Sequence, residues 1–170
     1  MKVGVVSLGC AKNRVDTEEM LSLLSEAGYG LTDDPAKAEV LIVNTCGFIT
    51  PAKEESIDAI FEMAQYKETG ACKVLAVTGC LAQRYADALM EQIPQIDVLV
   101  GVTQYDTLAD AIGRALKGGE RQQNTQRNNM FLHCGRVLTT PPYSAYIRIG
   151  EGCDNRCAYC AIPLIRGGHR

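Results

Sequence analysis

The sequence predicts an α/β fold built on a mostly parallel sheet, and three observations lead there. First, short runs rich in Val, Leu and Ile, without polar alternation, occur at 3–8 (VGVVSL), 40–44 (VLIVN), 74–79 (VLAVTG) and 97–101 (DVLVG). Such runs read as strands covered on both faces, which is the environment of a parallel sheet. Second, the segments between them, roughly 14–27, 54–66, 82–92 and 106–117, carry apolar residues three or four apart and read as amphipathic helices. Third, the punctuation agrees. Gly28 stands where the first helix should stop, and Thr50 with Pro51 stands where the second should start, as N-cap and first-turn residue. Strands and helices alternating in this way give a Rossmann-like three-layer domain, with helices on both sides of the sheet.

Composition bounds the possibilities. A chain of 170 residues, 46% hydrophobic and 22% charged, can bury one domain and part of a second. Seventeen basic against twenty acidic residues give a net charge of -3, and no Lys or Arg run forms a basic stripe. Charge therefore gives no support for nucleic-acid or membrane binding. The opening MKVGVVSLGC imitates a lipoprotein signal, but Val3 to Leu8 is shorter than the roughly 7–15 apolar residues of a signal core. No apolar run reaches the roughly 18 residues of a membrane span. A cytoplasmic location is expected, where thiols stay reduced and eight cysteines point to metal before disulfides.

The placement of those cysteines carries the functional reading. Cys10, Cys46 and Cys80 each stand just beyond a different predicted strand, in SLGC, VNTC and VTGC. In a parallel sheet all carboxyl ends share one edge, where ligands bind, so three thiols converge on one rim. The helix starts that follow favour thiolate over thiol. Gly9, Gly47 and Gly79 beside them allow close backbone approach. A single such cysteine would more often be core than ligand; three at equivalent positions reverse that weighting. Cys72, Cys134, His133 and His169 fit no such pattern and are expected to be structural or solvated.

After Lys117 the character changes. Residues 117–129, including Gly118-Gly119-Glu120, carry almost no large apolar side chain and read as exposed linker. The expected division is an α/β domain at 1–117, a linker at 118–138 and the start of a second domain at 139–170. In that last part a Pro-Pro break precedes an expected strand at 145–149 (AYIRI), which runs into EGCDNRCAYC. There Cys153, Cys157 and Cys160 stand at C-x3-C-x2-C spacing. A structural zinc site needs a fourth ligand, which Cys134 or His169 could supply. An iron–sulfur cubane tolerates three thiolates, leaving one iron open for a small molecule. Tyr159, between the last two cysteines, is expected to shield such a cluster.

GEGCDNRCAYCAIPLIRG resembles the cluster loop of radical S-adenosylmethionine (SAM) enzymes, and SLGCAKNRVDTE, VNTCGFITPAKEESI and VTGCLAQRY resemble the amino-terminal domain of the methylthiotransferases among them. The resemblance implies that Cys153, Cys157 and Cys160 bind a [4Fe-4S] cluster chelating SAM, with Tyr159 beside it. It implies that Cys10, Cys46 and Cys80 bind an auxiliary [4Fe-4S] cluster taking part in sulfur delivery. One SAM would supply the methyl group and another would be cleaved to a radical that removes hydrogen from the substrate carbon. GCLAQRY and AKEESIDAI resemble the branch acting on an aspartate of a small-subunit ribosomal protein more than the branch acting on tRNA adenosine. An electron donor such as flavodoxin is an implied partner; a membrane is not. By this resemblance the second domain is the first strand and cluster loop of a truncated, partial TIM-like barrel, and the chain is expected to be an inactive fragment of the enzyme. The two triads, lying in different domains, are expected to be separable sites.

Overall fold

The computed structural model describes residues 1–127 and 135–170. Its centre is a six-stranded, all-parallel sheet in the order β2-β1-β3-β4-β5-β6, formed by β1 (Lys2–Ser7), β2 (Gly30–Leu31), β3 (Val40–Thr45), β4 (Val74–Gly79), β5 (Val98–Val100) and β6 (Gln122–Asn124). Helices α1 (Ala11–Glu26), α2 (Thr50–Thr69), α3 (Cys80–Gln92) and α4 (Leu108–Leu116) make the crossovers, and α5 (Ile162–Arg166) follows the second cysteine loop.

Side-chain alternation in the strands builds two cores. Val40, Ile42, Val74, Ala76, Val98 and Val100 pack on the face covered by Met20 and Leu24 of α1 and Leu108 and Ile112 of α4. Leu41, Val43, Leu75, Val77 and Leu99 face the opposite way, onto Ile60 and Met63 of α2 and Leu81 and Leu89 of α3. Every residue of β3 and β4 is buried, which is why their sequences show no polar alternation. The expected three-layer α/β domain is present.

Several local expectations need correction. Helix α2 starts one residue earlier than expected: Ile49 is its N-cap, Thr50 is already helical, and Pro51 falls in the first turn. The polar stretch expected to be linker contributes β6, with Val98 registered on Gln122 and Val100 on Asn124. Arg121 secures it by donating from Nε to the Ile96 carbonyl at 2.6 Å and from Nη2 to the Ile93 carbonyl at 2.9 Å. An edge strand needs backbone pairing on one side only, so polar side chains suffice. The expected strand at 145–149 does not form. Ile147 is 83% and Ile149 97% exposed, and among the described residues no neighbouring strand offers this backbone a ladder.

Candidate functional site

Strands β1, β3 and β4 are neighbours, and their register sets the first triad. Ser7 pairs with Asn44, and Thr45 with Gly79, so Cys46 and Cys80 each follow a cross-strand pair on strands about 4.8 Å apart. Cys10 is the N-cap of α1, three residues beyond the end of β1. With β2 on one side of β1 and β3 on the other, the chain reverses its direction of travel through the sheet beside β1. Cys10 and Cys46 thus flank the topological switch point between β1 and β3, where α/β sheets bind ligands, and Cys80 follows the next strand. Cys72 precedes β4, at the opposite end of the sheet, and its Sγ contacts the Val74 carbonyl.

Two glycines make the close approach possible. A Cβ on Gly47 would sit 2.9 Å from the Cys80 carbonyl carbon and oxygen. Gly79 has φ +95, and a Cβ there would strike the Thr45 carbonyl oxygen at 2.3 Å, so no other residue fits between Thr45 and Cys80.

Asn13, fully buried on the first turns of α1, ties the rim together. Its Nδ2 donates to the Leu8 carbonyl at 3.0 Å and the Thr45 carbonyl at 2.9 Å, while its Oδ1 lies 3.6 Å from Cys80 Sγ. One side chain therefore touches the ends of all three cysteine-bearing strands. Asn44 adds a second layer, donating to the Asn13 carbonyl at 2.8 Å and to Thr17 Oγ1 at 2.9 Å.

At Cys80 burial works against the thiolate that a helix start favours. Cys80 begins α3, yet burial pushes its thiol above the ordinary range, only partly offset by the neighbouring Arg166 guanidinium. Among the described residues no three His, Cys, Asp or Glu side chains are close enough to share one metal ion. A single zinc draws its ligands to about 2.3 Å from one point, whereas a cubane spreads its irons and takes one thiolate at each.

The second triad lies on a loop that closes on itself. Glu151 and Arg170 exchange two backbone hydrogen bonds of 2.9 Å, the Cys153 N–H donates to the Gly167 carbonyl, and the Cys160 N–H donates to the Cys157 carbonyl. Cys157 is exposed and Cys153 and Cys160 are half-buried. Tyr159 is 89% exposed, too open to screen these thiols from water. Cys134 and His133, the former weighed as a fourth zinc ligand, lie outside the described residues. The backbone N–H of His169 donates to Asp154 within the loop.

The 135–170 segment does not stand apart from the α/β domain. Helix α1 carries a buried acidic stripe, Asp16, Glu18 and Glu19, and three arginines of the later segment dock on it. Arg136 pairs with Glu18, Arg148 with Asp16 at 2.7 Å and Glu19 at 3.0 Å, and Arg166 with Asp16 at 2.7 Å. Ala161 and Ile165 join the core beneath α1 and α4. Burial works against charge on Arg166, but Asp16, Cys80, Tyr105 and Glu151 outweigh it and hold its pKa above the usual arginine value. The sequence reading missed these residues because VDTEE looks like the solvated face of an amphipathic helix. The available signal was a run of acids in one half and isolated arginines, in CGRV, YIRI and LIRG, in the other.

A cavity of about 570 Å³ opens between β1 and residues 137–139, and none of the six motif cysteines lines it. Among the described residues no helix is long and apolar enough to cross a membrane.

The chain is 54% identical over 99% of its length to a ribosomal protein uS12 methylthiotransferase (RimO) of Desulforamulus reducens. It is 53% identical over its whole length to proteins of the same name from Clostridium tetani and Natranaerobius thermophilus. In each case it spans 38% of the relative's length. The family described as Uncharacterized protein family UPF0004 matches residues 2–101, which hold the sheet from β1 to β5 and the whole first triad, and the chain belongs to that family.

Proposed function

We propose that this chain is part of a radical SAM methylthiotransferase that adds a methylthio group to an aspartate of ribosomal protein uS12. The observation that carries the proposal is similarity along nearly the whole chain, at 53–54% identity, to uS12 methylthiotransferases. The same names favour uS12 over tRNA as the substrate. In this reading Cys10, Cys46 and Cys80 hold an auxiliary [4Fe-4S] cluster, and Cys153, Cys157 and Cys160 hold a second whose remaining iron is left for SAM. When bound, these groups supply one-electron chemistry, sulfur and methyl groups.

The chain's own residues prepare the place for them. Asn13 holds the three strand ends in register, and Gly47 and Gly79 let the backbone beside Cys46 and Cys80 come close. Glu151 and Arg166 fix the second loop against α1 and α3. An electron donor such as flavodoxin and a cytoplasmic setting complete the proposal.

A chimera tests it. Residues 1–170 would replace the matching part of the Clostridium tetani relative, and the purified, reconstituted chimera would be given SAM, reductant and uS12. The expected result is a methylthio-bearing uS12 aspartate by mass spectrometry, abolished by Cys10→Ala or Cys157→Ala. An inactive chimera beside an active parent would overturn the proposal.

A further inference from the structure

The two triads come from parts of the chain that the sequence assigns to different domains, yet one side chain joins them. Arg166, 2% exposed, follows the second triad by six residues and reaches into the rim of the first. Its Nη1 donates to Glu151 Oε2 at 3.1 Å, within its own loop. Its Nη2 donates to Asp16 Oδ2 at 2.7 Å and Asn13 Oδ1 at 2.9 Å on α1, and lies 3.6 Å from Cys80 Sγ. The guanidinium fork thus spans the second loop, the α1 hub and a thiol of the first triad.

We propose that Arg166 is a positioning residue that keys the second cysteine loop into the rim of the first triad and provides the cationic hydrogen-bond donor for the group that Cys80 ligates. This rests on reading the first triad as a cluster site. Stability alone would not require arginine, since a buried ion pair is commonly matched by apolar residues of similar volume. The fork supplies what an apolar side chain cannot: two nitrogens facing different segments, and positive charge beside a sulfur. A lysine keeps the charge but offers one nitrogen, so it cannot hold Glu151 and Asp16 in the same way. Hydrogen bonds and positive charge at cluster sulfurs stabilise the reduced form and raise its potential.

The test compares wild type, Arg166→Lys and Arg166→Met with two readouts. In the metal-free chain, backbone hydrogen exchange is followed at residues 151–170, with β3 and β4 amides reporting whether the domain is folded. Arg166→Met should lose at least about tenfold protection at Glu151, Cys153 and Arg170 while β3 and β4 stay protected, and Arg166→Lys should fall between. In a Cys153→Ala, Cys157→Ala, Cys160→Ala background that isolates the first triad, the midpoint potential of the reconstituted cluster should move negative in Arg166→Met and less so in Arg166→Lys. Unchanged exchange in Arg166→Met would overturn the docking role. Lost protection with an unmoved potential would reduce Arg166 to a structural ion pair and overturn its action on the Cys80 ligand site. A wild-type chain that takes up no iron would overturn the cluster reading and the redox role with it, while exchange in the metal-free chain would still decide the docking role.

Discussion

Arg148 Nη2 lies 2.7 Å from Asp16 Oδ1, joining residues 132 positions apart in the chain. Asp16 accepts from Arg166 through its other oxygen, where the Tyr105 hydroxyl also donates at 3.3 Å, and it is 1% exposed. A carboxylate so placed is a fastening point for three elements at once. Removing one member of a buried network leaves the other charges unpaired, which costs about 3–5 kcal/mol.

Asp16→Asn should therefore lower the unfolding free energy of the chain by about 3–5 kcal/mol and expose the 145–170 segment to protease first. The exposed pair Lys37–Asp34 gives the contrast: Asp34→Asn should leave the urea midpoint unchanged. Equal midpoints for Asp16→Asn and wild type would show that the arginine clasp contributes nothing to stability.

Glu18 sets an acid limit. Burial opposes its ionisation, but the Thr139 N–H and hydroxyl and the Arg136 guanidinium outweigh burial and hold its carboxyl below the usual range. A group depressed on folding stabilises the native state above its unfolded value and loses that contribution as pH falls through the lower folded value. The attachment of residues 136–139 to α1 should accordingly weaken below pH about 4.3, the ordinary glutamate value. Glu19 acts in the opposite sense, since burial raises its pKa despite Arg148. Glu18→Gln should flatten the acid limb of a stability–pH curve; an unaltered limb would contradict the assignment.

Gly79→Ala and Gly28→Ala separate crowding from backbone conformation. Both glycines have positive φ, +95 and +88, but a Cβ at Gly28 meets nothing within 4 Å whereas one at Gly79 meets Thr45 backbone and Asn44 Oδ1 at 2.3–2.6 Å. Gly28→Ala should cost about 1 kcal/mol, and Gly79→Ala should exceed the roughly 1–3 kcal/mol of backbone strain alone and reduce iron uptake at the first triad. Similar losses for both, by denaturant titration, would argue against a crowded rim.

The layers of the fold were legible because β3 and β4 are buried on both faces and so are written as continuous apolar runs. The rim was legible because Cys46 and Cys80 each follow such a run directly. Three features were not. Strand β6 is held by backbone pairing and Arg121, which leave no apolar signature in Gln122–Asn124. The 145–149 segment has strand-like residues, but a strand also needs a neighbour, and Ile149 remains 97% exposed. The clasp depends on pairing Asp16 with Arg148 and Arg166 across most of the chain, and no local pattern encodes such a contact.

The most direct test of the central claim is the iron and sulfide content of the anaerobically reconstituted chain, with its visible spectrum, before and after replacing Cys10, Cys46 and Cys80 by Ala. Two cubanes predict a brown protein absorbing broadly near ~400 nm with about eight iron atoms per chain, falling to about four in the triple variant. Removing Cys72 should leave the iron unchanged. A colourless protein, or an iron content that does not fall in the triple variant, would contradict the account.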